Sequence, residues 1–316
     1  MRSVEREIRG EIMRTDIFVK LLSPSGSEAD LNRDLDDAFS CFRDIGRRFS
    51  RFRTESELSR LNETTEIKAS PEMTTLLGQS LALYRETGGI FDPSILEMLE
   101  GEGYVASFGD ESFGVPRSEV RSTGNVAFDS LSVDAETGMV RKPKELRIDL
   151  GGIAKGFAVD RAVTLLRERG YDDFLLDAGG DIFASGADLE RGYGHWVVDI
   201  ANPTQRESPV ALLLLRDVAV ATSGTDRRRW TVGDETRHHL IDPRTGKSAD
   251  TDILSATVIG ESVVRAEVFA KTLCVLGRIP AIAFAEERRM AAFLVTEDGE
   301  TVYTSFMKPY LYDETK

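Results

Sequence analysis

The sequence predicts an α+β fold. Short strands follow one another in meandering groups, above all after Asn125, instead of alternating one by one with helices. Longer stretches with apolar residues at helical spacing stand between these groups. The chain has neither the G-x-G-x-x-G fingerprint of a dinucleotide-binding Rossmann domain nor a P-loop. A nucleotide would therefore have to bind through a different motif.

The first part of the chain combines one strand with two helices. Leu31, Leu35, Phe39 and Phe42 recur at helical spacing, and the second helix has a Ser-Pro start and a Gly-Gly end. The elements predicted before residue 126 are a strand over 11–22, a helix over 29–48, a polar loop over 50–66, a helix from Ser70-Pro71 to Gly88-Gly89, and a Gly- and Ser-rich surface excursion over 100–125.

The remaining chain is richer in strands. The elements predicted there are strands over 126–128, 132–133, 139–141 and 146–148, a helix over 153–169, strands over 174–177, 196–200, 211–215, 218–222 and 255–259, helices over 263–276 and 280–288, and two closing strands. No repeat or low-complexity tract interrupts the chain. We therefore expect one domain over 1–316, with its motifs between residues 10 and 278.

Composition excludes several classes of protein. The 316 residues include 40 Lys+Arg and 54 Asp+Glu, a formal net charge of −14, which opposes binding to nucleic-acid phosphates, so no nucleic-acid partner is expected. The charged start, Met1–Gly10, does not resemble a signal peptide, and no apolar run approaches the roughly 20 residues that span a bilayer. Cys41 and Cys274 are too few for a disulfide framework or a zinc site. We expect a cytoplasmic protein without membrane insertion.

The segment 149–156, Asp-Leu-Gly-Gly-Ile-Ala-Lys-Gly, lies between a predicted strand and a predicted helix. Its two adjacent glycines let backbone approach a ligand, and the start of a helix offers free N–H groups and partial positive charge. Lys155 opposes the helix dipole, and an anion such as a phosphate would explain its presence there. A tight turn in which Asp149 caps the helix is the alternative.

Two further segments carry residues suited to chemistry. His239 begins a stretch that runs into the Pro243–Gly246 turn, and histidine changes charge near neutral pH, as a general base requires. A structural histidine is the alternative. Arg227–Arg229 could clamp a phosphate or an adenine, although runs of charge usually form a solvated face.

Six segments fall in the order of a known family. They are Phe49–Asn62, Gly89–Ser94, Asp149–Gly156, Asp177–Asp181, Thr222–Gly224 and His239–Gly246. Each is short, but together, from about Met13 to Gly277, they resemble the ApbE family, the FAD:protein FMN transferases.

The resemblance implies a T-fold-like architecture of antiparallel sheets with packed helices and a cleft for FAD. Members of the family split the FAD pyrophosphate, attach FMN to a Thr or Ser of a target flavoprotein and release AMP. His239 would be the base on the incoming hydroxyl. By position, the residues implied to contact FAD are Met13, Phe52, Ile90, Phe91, Asp92, Asp149, Lys155 and the backbone near Leu254.

The implied metal site departs from the family pattern. Family enzymes hold Mg²⁺ with a backbone carbonyl, here that of Gly152, and with an Asp and a Thr of a helix that reads A-D-x-x-A-T. This chain has Glu267 at the Asp position and Lys271 at the Thr position. A protonated lysine cannot ligate a cation. Binding of Mg²⁺ would therefore be weakened, or Lys271 would replace the ion as a fixed positive charge at the catalytic centre. The alternative is a surface ion pair between Glu267 and Lys271.

The altered metal positions leave three functions open. The first is the FMN transferase. The others are a non-catalytic FAD-binding protein and a FAD pyrophosphatase that releases FMN and AMP.

Overall fold

A computed structural model of the chain describes residues 4–23, 28–106, 114, 126–188, 192–205 and 207–312. The helices in these ranges are α1 (Glu28–Arg48), α2 (Glu57–Glu63), α3 (Pro71–Glu86), α4 (Leu96–Gly101), α5 (Ala154–Glu168), α6 (Val263–Leu276) and α7 (Arg278–Glu287). Short 3₁₀ helices span Phe128–Ser130 and Ser305–Tyr310.

The strands in these ranges are β1 (Val4–Ile12), β2 (Thr15–Ser23), β3 (Glu66–Lys68), β4 (Ser132–Val133), β5 (Met139–Arg141), β6 (Asp173–Ala178), β7 (Asp181–Ser185), β8 (Trp196–Ile200), β9 (Ala211–Leu215), β10 (Val218–Gly224), β11 (Arg229–Val232), β12 (Glu235–His238), β13 (Ile241–Asp242), β14 (Lys247–Ser248), β15 (Ile253–Gly260), β16 (Ala291–Thr296) and β17 (Thr301–Tyr303).

Eight of these strands form one antiparallel sheet in the order β1-β2-β6-β7-β10-β15-β16-β17. Helices α1, α5 and α6 pack side by side on one face of the sheet. The hairpin β8–β9 and the 3₁₀ helix 305–310 cover the other face. The α+β prediction is thus confirmed, with antiparallel sheets and packed helices.

Each face of the sheet has its own hydrophobic core. Along β10, Ala219 and Ala221 belong to the core under the helices, whereas Val220 between them belongs to the core under β8–β9. Along β15, Val258 and Ile259 divide in the same way. Because successive side chains of a strand point to opposite faces, one run of apolar residues serves both cores.

The long helices form where periodicity predicts them. In α1, the apolar residues from Leu31 to Ile45 are buried, with acidic residues in the first turn and basic residues in the last. At the start of α3, the Ser70 hydroxyl accepts the Met73 N–H at 3.2 Å and Pro71 occupies the first turn.

Two elements predicted in the first part of the chain differ from the structure. The strand expected over 11–22 is a hairpin that turns at Met13 and Arg14, both at φ 55°, without the Gly or Asn that usually marks such a turn. The loop expected over 50–66 contains α2, a seven-residue helix that buries only Glu57, Leu58 and Leu61 and so shows little periodicity.

Neither the strand expected over 126–128 nor the one over 146–148 forms. A 3₁₀ helix begins at Phe128, and residues 146–148 are not part of a strand. The backbone of Ile148 instead pairs with the Asn62 side chain. Most of the expected excursion over 100–125 lies outside the described residues. The single domain over 1–316 stays a prediction.

Two sequence expectations concern absences. Both cysteines are free, and Cys274 is buried in the core under the helices. Among the described residues, no helix combines the length and apolar character needed to cross a membrane.

Candidate functional site

A cavity of about 380 Å³ opens where the end of β10 meets the start of α5. Its walls come from segments far apart in the chain, including the turns at 90–93, 149–152 and 239–243. Lys155 of α5 and Lys271 of α6 reach into it. All six segments that define the family resemblance therefore meet around one space, and segment 177–181 contributes Gly179 and Asp181.

A second cavity of about 740 Å³ adjoins the first, between the β1–β2 turn and the end of α1. Lys155, Arg228, Phe52 and Tyr104 are among the residues that line both cavities. The two spaces are therefore halves of one bipartite cleft, with cationic side chains at their junction.

The Asp149 turn is fixed from three sides. Asn62 clasps the backbone of Ile148, with Nδ2 donating to its carbonyl and Oδ1 accepting its N–H, both at 2.8 Å. The Asp149 N–H donates to the Pro93 carbonyl at 2.8 Å. Its carboxylate accepts the Gly151 N–H at 2.8 Å and lies 2.8 Å from Arg51 Nε. Asp149 therefore shapes the turn and does not cap α5, which has no side-chain cap.

A buried carboxylate lies between α5 and α6. Glu267 has no exposed side-chain surface; its Oε1 is 3.2 Å from Lys155 Nζ and 2.9 Å from Lys271 Nζ. Its Oε2 accepts the Gly156 N–H at 2.8 Å. A Cβ at residue 156 would lie 2.9 Å from that oxygen, so the absence of a side chain permits the approach. The expected surface ion pair between Glu267 and Lys271 is wrong in its location, because the carboxylate is buried.

The pKa values in this cluster follow from burial and charge. Burial lowers the pKa of Lys155 to about 8, against the attraction of Glu267. Burial would raise the pKa of Glu267, but the charges of Lys155 and Lys271 outweigh it and hold that pKa low. Lys155 also pairs with Asp181. The cluster therefore holds two ammonium groups against two carboxylates at the wall of the cavity.

These residues do not fit Mg²⁺. The ion needs oxygen ligands at about 2.0–2.1 Å in near-octahedral geometry. Both oxygens of Glu267 already accept hydrogen bonds, and the Lys271 chain lies across Gly152, where a Cβ would be 3.5 Å from its Cε. In the part of the chain that the structure describes, no three His, Cys, Asp or Glu side chains are grouped as metal ligands.

His239 lines the first cavity, and its Nδ1 has no hydrogen-bond partner among the described residues. Burial, reinforced by the charges of Arg228 and Lys271, lowers the pKa of His239 well below 6.5. The imidazole is therefore neutral at physiological pH, and its Nδ1 is buried without a hydrogen-bond partner among the described residues. His238 is structural, because its Nε2 lies 3.1 Å from the Ala249 carbonyl and its backbone pairs with Ser248.

Aromatic side chains lie along the cleft, and two of them, Phe52 and Tyr104, line both cavities. The Phe52 and Tyr104 ring centroids are 6.0 Å apart, and Tyr104 is 5.7 Å from Trp230. The Arg51 guanidinium lies 4.2 Å from the Phe52 ring centre and 4.9 Å from that of Tyr104. Phe52 remains 41% exposed, so it offers a flat apolar surface at the mouth of the cleft.

The other predicted contact residues are divided between the two halves. Ile90, Phe91 and Asp92 line the first cavity, where Ser94 donates to the Asp92 carboxylate through its N–H at 2.8 Å and its hydroxyl at 2.6 Å. Met13 lines only the second cavity. The Leu254 carbonyl accepts the Thr225 N–H at 2.9 Å, and Leu254 is not among the residues that line either half.

Sequence reasoning did not single out three residues that shape this cleft. Arg51 and Tyr104 enter it through contacts between distant segments, which no local pattern reveals. Asn62 was noted only as part of a motif. Of the run Arg227–Arg229, only Arg228 lines both cavities; its left-handed backbone, φ 49°, marks a specially placed residue.

Comparison with known proteins gives one consistent result. The model of the ApbE family matches residues 13–294. The FAD:protein FMN transferase of Haemophilus influenzae is 26% identical, covering 92% of this chain and 87% of that protein. The Vibrio cholerae protein of the same name is 28% identical, covering 96% and 92%.

Solved structures give the same fold. The ApbE protein of Thermotoga maritima matches with a TM-score of 0.87 and 24% identity, over 98% of this chain and 100% of that chain. The flavin transferase ApbE of Vibrio cholerae matches with a TM-score of 0.81 and 24% identity, with the same coverage.

Proposed function

Because the chain belongs to the ApbE family, we propose that it is a FAD:protein FMN transferase. It binds FAD in the bipartite cleft, transfers FMN to a Thr or Ser hydroxyl of a target flavoprotein and releases AMP. Relatives that bear this name align over most of their own length, which supports the same activity here.

One observation carries the proposal. The junction between the two cavities is lined by Lys155 and Arg228, next to a neutral histidine with a free ring nitrogen. A dinucleotide has two bulky ends joined by a pyrophosphate, so a two-part cleft with cations at its junction suits it. The incoming hydroxyl needs a proton acceptor, and His239 supplies one.

The chemistry is a displacement at phosphorus. The acceptor oxygen forms a bond to the phosphorus of the FMN half as the bridging P–O bond to the AMP phosphate breaks. The bonding electrons leave with AMP, and His239 takes the hydroxyl proton and later yields it to solvent. Lys155 and Arg228 stabilise the charge that develops on the phosphates.

We assign the remaining predicted contacts by their place in the cleft. Ile90, Phe91 and Asp92 meet the part of FAD in the first cavity, and Met13 meets the part in the second. Phe52 offers its exposed ring for stacking at the mouth of the cleft, while Asp149 shapes the turn that faces the phosphates. The Leu254 backbone contact stays a prediction. No step is assigned to Mg²⁺, because the residues present do not fit that ion.

Product analysis tests the proposal. The protein is incubated with FAD and a flavoprotein fragment that carries an acceptor Thr, and the same fragment with Thr replaced by Val is the control. We expect AMP release together with covalent flavin on the Thr fragment alone. AMP with free FMN would instead identify a FAD pyrophosphatase, and bound FAD without AMP a non-catalytic FAD-binding protein.

Three expectations accompany this function as proposals. They are a cytoplasmic location, a target flavoprotein as partner, and no binding to nucleic acid.

A further inference from the structure

The cation that the pyrophosphate needs is part of the chain. Glu267 holds the ammonium groups of Lys155 and Lys271 at 3.2 and 2.9 Å, and a backbone amide takes its second oxygen. The carboxylate is fully buried, whereas the side chains of Lys155 and Lys271 keep 16% and 19% of their surface exposed. The buried Glu267 carboxylate therefore anchors both ammonium groups, while both lysine side chains line the cavity.

A divalent ion would have to displace this arrangement. To ligate Glu267, Mg²⁺ would replace at least one ammonium group and lie beside the other, with Lys271 crossing Gly152. Two like charges at such distances repel strongly, above all where water is excluded. Asp181 is not available as an alternative ligand for the ion, because Lys155 already pairs with it.

We propose that Lys271 is the resident cation of this site and that FAD binds without a divalent metal ion. The identity of the anion as FAD rests on the proposed function; the anchored ammonium group does not. Glu267 is then a positioning residue, which sets the direction of both lysine side chains before the ligand arrives.

A fixed ammonium group differs from a metal ion in ways that can be measured. It does not exchange with solvent, so chelators do not remove it. It carries one charge, and it donates hydrogen bonds to phosphate oxygens without needing a cage of oxygen ligands. Binding should therefore be indifferent to added metal and sensitive to the charge at residue 271.

The first test uses the protein without ligand. Mn²⁺ is titrated into the apo-protein and followed by electron paramagnetic resonance, in which free Mn²⁺ gives a sharp signal. We expect the signal of the free ion to remain unchanged. A stoichiometric Mn²⁺ site that disappears in Glu267→Gln would overturn the inference, whatever the reaction proves to be.

The second test measures FAD binding by calorimetry in excess EDTA and in excess MgCl₂. For the unaltered protein we expect dissociation constants that agree within about twofold. Lys271→Met keeps the length of the side chain but removes its charge, and it should weaken binding roughly 10- to 100-fold in both buffers. Lys308→Met, at an exposed position, is the matched control and should bind normally.

Two results would contradict the inference: Mg²⁺-dependent binding that persists in Lys271→Met, or unchanged binding by that variant.

Failure of the unaltered protein to bind FAD in either buffer would refute the proposed function alone, and ADP would then replace FAD in the same experiment. Loss of ADP binding in Lys271→Met would still support the inference, and absence of ADP binding by the unaltered protein would overturn it. Circular dichroism confirms that each variant is folded.

Discussion

Asn62 and Ile148 are 86 positions apart in the chain, yet they form a reciprocal pair of hydrogen bonds, each 2.8 Å long. The side-chain amide of Asn62, near the end of α2, satisfies the backbone N–H and carbonyl of Ile148, as a neighbouring strand would in a sheet. Asp149 follows directly, so this pair sets where the turn that lines both cavities begins.

Asn62→Ala should destabilise the fold and misplace the Asp149 turn. It leaves the N–H and carbonyl of Ile148 without their partners, which we expect to cost about 1–3 kcal/mol in the free energy of unfolding. FAD binding should weaken as well. Urea unfolding measures the first effect and calorimetry the second. Glu63→Ala, at the exposed next position, should stay within about 0.5 kcal/mol of the unaltered protein; an equal loss in both variants would contradict this role.

Glu267→Gln should lower stability sharply, because it leaves Lys271 without its carboxylate and leaves Lys155 with Asp181 alone. Breaking a buried ion pair from one side costs about 3–5 kcal/mol. The double variant Glu267→Gln/Lys271→Met also lacks the charge of Lys271. Its decrease in the free energy of unfolding should therefore be smaller than the sum of the decreases in the two single variants. Additive losses in thermal or urea unfolding would show that the two side chains are not coupled.

Asp160 should make stability depend on pH. Its carboxylate accepts the N–H groups of Val263 and Val264 at the start of α6, and burial raises the pKa of Asp160 from 3.8 to about 6. The folded state thus binds this proton more tightly than the unfolded state, and the resulting stabilisation, full below pH 3.8, is lost as pH rises through 6.

Asp160→Asn cannot titrate, so the stability of the unaltered protein should fall relative to this variant between about pH 4 and pH 6. Urea unfolding at several pH values measures the difference. A constant difference across that range would contradict the raised pKa of Asp160.

His239→Gln should slow AMP release roughly 10²- to 10⁴-fold while FAD still binds, since the residue acts on the acceptor hydroxyl and not on the ligand. In the unaltered protein, the low pKa of His239 should keep the base active below pH 6.5, where an ordinary histidine would be protonated. Rate profiles over pH test this. His195→Gln is the control and should behave normally; a similar loss there would argue against a specific role.

Periodicity along the chain was sufficient to predict the long helices and most of the buried strands, but not β7, which is buried along its whole length. Apolar positions in α1 repeat at helical spacing because one side of the helix faces the sheet, whereas α6 is apolar and buried on most sides. The β1–β2 hairpin was missed, because β1 is an edge strand of mostly charged residues and its turn at Met13–Arg14 contains no glycine.

The site was predictable where short motifs mark it and not where distant segments meet. His239 and Lys155 were identified from residue type and position and Lys271 from the resemblance to the family, and all three line the first cavity. Arg51 and Tyr104 complete the cleft through a hydrogen bond of 2.6 Å between segments 53 positions apart. Such contacts depend on the three-dimensional fold, which no local sequence pattern encodes.

The most direct test of the account is the mass of an acceptor flavoprotein fragment after incubation with this protein and FAD in excess EDTA. A mass increase of one FMN group, matched by one equivalent of AMP and absent when the acceptor Thr is replaced by Val, is the predicted result. An unmodified acceptor in EDTA and in MgCl₂ alike, with FAD either intact or split into free FMN and AMP, would contradict it.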